Sequence, residues 1–170
     1  MLNANGERFL DEGANFRNYT YAQYGSKILE QPRNFAWQIF DDKVKDLLYE
    51  EYFFDDAHFV IADSISELVK KLDGVDTFKA LKTIRNYNAK CTSNNKFDPT
   101  ILDSKSTIGL KIPKSNWALQ IDKPPFRAYP VTGGITFTYG GLKISKKGEV
   151  LKLNDVVIPG LFACGELVGG

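Results

Sequence analysis

The stretch from Val131 to Gly170, VTGGITFTYGGLKISKKGEVLKLNDVVIPGLFACGELVGG, constrains this chain most, because glycines punctuate β-forming runs at close intervals along it. Thr136, Thr138, Leu142 and Ile144 flank the Gly140-Gly141 pair, where the missing Cβ lets a second backbone or a ligand approach a strand. Lys146-Lys147-Gly148-Glu149 predicts a polar turn between two extended segments. Val156 to Gly160 then leads into Leu161-Phe162-Ala163-Cys164, an apolar run of the kind buried on both faces of a sheet. Gly165-Glu166 closes it. A glycine at the carboxyl end of a strand exposes backbone to a ligand, and a carboxylate beside it can accept hydrogen bonds from sugar-type hydroxyls. These residues fit nucleotide or flavin ribityl binding, and they equally fit a plain turn.

Three runs in this stretch, TYGGLKI, IPGLFACGE and VGG, resemble the end of the FAD-dependent oxidoreductase 2 family of fumarate reductases, succinate dehydrogenase flavoproteins and L-aspartate oxidases. PPFRAYPVTGGITFTYGG, from Pro124 to Gly141, and GERFLDEGANFRNYTYAQYG, from Gly6 to Gly25, are similar to its tricarballylate dehydrogenase branch. The resemblance implies an α+β fold: a capping-type, substrate-side portion over residues 1–125, joined to a partial return into a flavin-binding α/β domain over residues 126–170. It implies FAD as the cofactor of the complete protein and a small carboxylate as substrate, with hydride transfer at flavin N5. Arg17 would move the proton at the adjacent carbon. Gly140, Gly141, Gly165 and Glu166 would face the cofactor, and Glu12, Thr136 and Thr138 the substrate. The chain departs from the fumarate reductase pattern in two places. Arg17 lies one residue further from Glu12, and Thr136 and Phe137 stand where that pattern has histidines. A carboxylate substrate is therefore expected without specificity for fumarate or succinate.

No G-x-G-x-x-G follows an early strand, so the dinucleotide half of an FAD site is missing from the sequence. The expectation is a C-terminal fragment, inactive alone and a poor holder of FAD. The rival is a non-enzymatic remnant or interaction module that self-associates or meets a complementing chain.

Composition narrows the classes further. At 170 residues with 43% apolar side chains the chain can bury a sizeable core. A formal charge of +1, with both signs interspersed, gives no electrostatic ground for nucleic acid or an anionic membrane as partner. No long uncharged apolar window exists, and Met1-Leu2-Asn3 does not begin a signal peptide, so a cytoplasmic location is expected. Cys91 and Cys164 lack C-x-x-C spacing and His58 is the sole histidine, so no metal site is predicted. Cys164 reads as a small buried side chain.

Along the rest of the chain, Asn5-Gly6 marks a turn, and Asp11, Glu12 and Arg17 read as a local ion-paired loop. A helix is predicted over residues 19–31, with Tyr21, Tyr24, Ile28 and Leu29 inward, and a strand over 34–40. Asp41-Asp42 opens another helix carrying Val44, Leu47, Leu48 and Tyr52. A capping box, Ser64 to Glu67, heads a helix with Leu68, Val69 and Leu72 inward. Residues 76–90 read as a helix with Phe78, Leu81, Ile84 and Tyr87 inward, residues 92–106 as a surface excursion, and Lys123-Pro124-Pro125 as a rigid joint.

Overall fold

The computed structural model describes residues 1–135, 138 and 140–169. The chain forms two compact units, Met1–Gly133 and Gly134–Gly170.

The first unit is a three-stranded antiparallel sheet with helices. Its strands are β1 (Phe35–Phe40), β2 (Val60–Ala62) and β3 (Phe126–Thr132), in the order β1-β3-β2. Phe35 pairs with Thr132 and Ala62 with Phe126, while Leu2 bridges to Trp37 on the far side of β1. The sheet side chains alternate in facing. Phe126 and Ala128 join Leu2, Trp37, Ala62, Leu68, Val69, Leu72, Ala80 and Ile84 in the main core. Tyr129, also buried, points the other way and packs its ring among Phe40, Tyr52 and Phe59. Because β3 is the central strand of this sheet, residues 126–132 belong with the first unit, and the two units divide at Gly133–Gly134.

The helices are α1 (Arg17–Leu29), α2 (Ile65–Lys70) and α3 (Thr77–Lys90). Ser64 Oγ accepts from the Glu67 N–H and Asp76 Oδ1 from the Lys79 N–H, so both expected starts are capped. Leu68 and Val69 are fully buried. On α3 the expectation for Phe78 fails: the ring is 79% exposed, and Ala80, Ile84 and Tyr87 face inward instead. Steps of three residues on a 3.6-residue helix drift by about 60° each, so Phe78 and Tyr87 end on opposite sides.

The helix expected after Asp41-Asp42 is two short 3-10 turns, Asp42–Leu47 and Glu50–Phe53, parted by the extended backbone of Leu48 and Tyr49. Leu47 and Phe53 stay exposed, so no buried stripe pulls this segment into an α-helix. Asp41 nevertheless caps as expected. Its buried carboxylate accepts the N–H groups of Lys43, Asp122 and Lys123 and pairs with Lys43 Nζ at 2.6 Å.

Residues 92–106 contain no helix or strand, yet they are tied down. The Asp103 carboxylate accepts the N–H groups of Asp98, Lys105 and Trp117, and the Trp117 indole donates to the Asp98 and Ile101 carbonyls.

The second unit pairs β4 (Glu149–Leu151) with β5 (Val157–Phe162) in antiparallel fashion around a buried Val150. The expected polar turn is present, with Gly148 at φ +78° and the Ser145 hydroxyl accepting the Lys147 and Glu149 N–H groups. Burial of Leu161 to Cys164 is overturned. Leu161 is 45% exposed, Phe162 is 64% exposed, and Cys164 is exposed as a free thiol. Among the described residues β5 has one hydrogen-bonded neighbour, β4, so it lacks the second partner that its composition matches. No helix among the described residues is long and apolar enough to cross a membrane, and no cluster of potential metal ligands occurs among them.

Candidate functional site

In the first unit, residues 11–17 form a loop whose backbone is fixed before it reaches Arg17. Asp11 Oδ1 accepts the Gly13 and Ser115 N–H groups, and its other oxygen accepts from the Ser115 hydroxyl. Asn116 Nδ2 donates to the Gly13 carbonyl at 2.8 Å and its Oδ1 accepts from the Ser104 N–H. A Cβ at Gly13 would press on the Asn116 backbone, 2.7 Å from its nitrogen, so only glycine fits this approach. Tyr24 donates its hydroxyl to the Asp11 carbonyl, and Phe16 packs on Trp117 with ring centroids 5.4 Å apart.

Arg17 is the first residue of α1 and is exposed. The ion pair expected between it and Glu12 does not form. Glu12 turns inward and is taken by Arg8, through Nε at 3.3 Å and a shorter contact from Nη2, and by the Met1 amino group at 2.5 Å. Burial works to raise the Glu12 pKa, but the amino group and Arg8 outweigh it and hold the carboxyl down at about 2. Arg17 instead lies over the Tyr49 ring, its Cζ 4.4 Å from the centroid. Nearby, Tyr52 donates its hydroxyl to Gln38 Oε1 at 2.7 Å and sets its ring edge-on to Tyr129. Burial raises the Tyr52 pKa, with the Arg17 charge opposing.

The start of α1 breaks a local rule. Phe16 gives no side-chain cap, the first turn holds no acidic residue, and a cation sits where the helix dipole disfavours one. The N–H groups of Arg17 and Asn18 have no acceptor among the described residues. Guanidinium and free amides together make an anion-attracting corner.

In the second unit the expected cofactor residues come together. Leu142 bridges to Val168 in parallel; its N–H donates to the Leu167 carbonyl at 2.9 Å, and its carbonyl accepts from Gly169 at 3.1 Å. Gly141 is locked in this contact, since a Cβ there would stand 2.6 Å from the Gly169 nitrogen. Gly140 and Gly165 are open: a Cβ on either would meet nothing within 4 Å, and Gly165 has φ +79°. Glu166 Oε1 accepts the Thr138 N–H at 3.0 Å, leaving the exposed carboxylate a second oxygen. Thr136, with Phe137, lies outside the described residues. Bare glycine backbone beside a carboxylate fits a polyhydroxylated group such as the ribityl or ribose part of FAD. Tyr49 escapes sequence reasoning because it lies outside the runs that carry the resemblance; Gly13 lies inside one, but nothing along the chain points to its approach to Asn116.

The FAD binding domain family matches residues 1–170. The chain belongs to this family. As an FAD binding domain it is similar to a probable fumarate reductase of Shewanella frigidimarina (strain NCIMB 400), 29% identical, covering 100% of this chain and 26% of that protein. It is also similar to the NADH:acrylate oxidoreductase of Vibrio harveyi, 32% identical, covering 100% of this chain and 16% of that protein. The solved open conformation of a flavocytochrome c3 fumarate reductase matches with a TM-score of 0.72 at 29% identity, over 99% of this chain and 27% of that one. The chain therefore spans about a quarter or less of the length of these relatives. FAD is the cofactor of the complete protein, and the mixed helix-and-sheet fold matches part of a flavocytochrome c3 fumarate reductase.

Proposed function

We propose that the chain is part of an FAD-dependent oxidoreductase that acts on a carbon–carbon bond beside a carboxylate, with Arg17 as the proton donor. The observation that carries this is the start of α1, where, among the described residues, an exposed guanidinium has no carboxylate partner and two neighbouring backbone N–H groups have no acceptor. A substrate carboxylate gains there from full charge, helix dipole and unspent donors together. Relatives named for fumarate and acrylate point to the same class, since both are unsaturated carboxylates. Threonine and phenylalanine at positions 136 and 137 favour the tricarballylate dehydrogenase branch over a fumarate specificity.

The chemistry that bound FAD supplies is two-electron hydride exchange with the substrate carbon. The chain's own residues do the rest. Gly140 and Gly165 offer approachable backbone, and Glu166 a carboxylate oxygen with no partner among the described residues, for cofactor hydroxyls. The Thr138 hydroxyl has no partner among the described residues and can donate to a substrate carboxylate. Glu12 serves Arg8 rather than an anionic substrate, which its fixed charge would repel. In reduction, Arg17 gives a guanidinium proton to the carbon next to the one that accepts hydride. A guanidinium gives up a proton only where it is buried beside groups that relay one, so the reading requires such surroundings for Arg17 in the complete protein.

The test uses the flavin-loaded complete protein with an α,β-unsaturated acid and the corresponding neutral amide. The acid should turn over and the amide should not, and Arg17→Gln should cut turnover of the acid by about 10²- to 10⁴-fold with flavin retained. Equal use of acid and amide, or an active Arg17→Gln, removes the basis for this function. A second reading, a protein-binding module, is favoured by one feature only, the exposed Leu161 and Phe162 of β5.

A further inference from the structure

From the packing around Arg17 we infer that Tyr49 is the positioning residue for its guanidinium, a ring platform that holds the proton donor without consuming its charge or its N–H groups. This rests on the role of Arg17 proposed above. The loop network brings the Arg17 backbone to a fixed place through Asp11–Ser115, Asn116–Gly13 and Phe16–Trp117, but the side chain beyond it is long and flexible. Among the described residues no carboxylate pairs with it, and the contact that holds its head is the Tyr49 ring, 4.4 Å from Cζ to centroid.

The nature of that contact decides its use. A carboxylate partner would fix the guanidinium more strongly, but it would take up two donors and cancel the charge that a substrate anion needs. An aromatic face attracts the cation through the ring quadrupole and leaves the N–H edges free in the guanidinium plane. Tyr49 is itself tied to the sheet through Tyr52. It caps the 3-10 turn Glu50–Phe53, its carbonyl accepting the Tyr52 N–H at 3.1 Å, and Tyr52 is anchored by its hydroxyl to Gln38 on β1. The platform therefore hangs from the sheet, while the donor hangs from the loop before α1. Half of Tyr49 remains exposed, so the ring can stack without being sealed into the core.

The test compares Tyr49→Leu and Tyr49→Phe in the flavin-loaded complete protein, with Arg17→Gln as reference. Tyr49→Leu should lower kcat by about 10- to 100-fold, as misplacement of a reacting group does, while KM changes by less than about threefold and flavin content is unchanged. Tyr49→Phe keeps the ring and should stay within about threefold of wild type. In the 170-residue chain the Arg17 Nε–H proton resonance should be shifted upfield by the ring, and that shift should vanish in Tyr49→Leu and persist in Tyr49→Phe. Wild-type kcat in Tyr49→Leu beside an inactive Arg17→Gln overturns the inference and spares the role of Arg17. An unshifted Arg17 resonance, or equal losses in both Tyr49 variants, overturns it too. An active Arg17→Gln overturns both.

Discussion

Single residues carry the clearest consequences. Glu12 has a folded-state pKa of about 2 against an ordinary value of 4.5. A depressed carboxyl pKa stabilises the fold fully above the ordinary value, and the contribution is lost as pH falls through the folded value. Glu12→Gln should therefore flatten the loss of stability between about pH 4.5 and pH 2 that wild type shows, measured by urea midpoints across that range. An acid limb identical in both proteins would contradict the Arg8–Glu12 geometry. Gly13→Ala should cost about 1–3 kcal/mol, because the new methyl meets the Asn116 backbone rather than a movable side chain. Chemical denaturation of the 170-residue chain measures it; a neutral effect would mean that the Asn116 approach is looser than it stands. None of this was legible in the sequence. The approach of Gly13 to Asn116 joins residues 103 positions apart, and the expected partnership of Glu12 with Arg17 follows from nearness in the chain, whereas the fold gives Glu12 to Arg8.

At the scale of elements, what the sequence spelled out locally came through. Ser64, Asp76 and Asp41 cap where cap chemistry puts them, and Leu68 and Val69 face inward as the 3.6-residue period requires. Leu68→Ala should cost about 2–5 kcal/mol, since the side chain is fully enclosed. Phe78→Ala, on the exposed side of α3, should change stability by less than about 0.5 kcal/mol. Thermal and urea midpoints of the two variants decide it, and equal losses would refute the facing of α3. Two of the misses share a cause. The segment 42–53 has helical spacing but leaves Leu47 and Phe53 uncovered, and β5 has a buried strand's composition but one neighbour among the described residues. Such features depend on what lies alongside, which spacing along one chain does not encode.

For the whole molecule, the residues given roles in the proposal fall on both units: Arg17 and Tyr49 on the first, Gly140, Gly165 and Glu166 on the second. The second set stands in contiguous motifs, GG at 140–141 and GE at 165–166, which a sequence displays directly, whereas Tyr49 reaches Arg17 only through folding. The exposed Leu161 and Phe162 should make the 170-residue chain self-associate, and light scattering should show species larger than 19.1 kDa. A strict monomer would count against an apolar face that needs cover. The role of Arg17 is tested most directly by an anaerobic single turnover of the complete protein, in which reoxidation of the reduced flavin by an α,β-unsaturated acid is followed by absorbance. With the acid raised to saturation, Arg17→Gln should reoxidise about 10²-fold more slowly or worse, and reoxidation at the wild-type rate would contradict Arg17 as the proton donor.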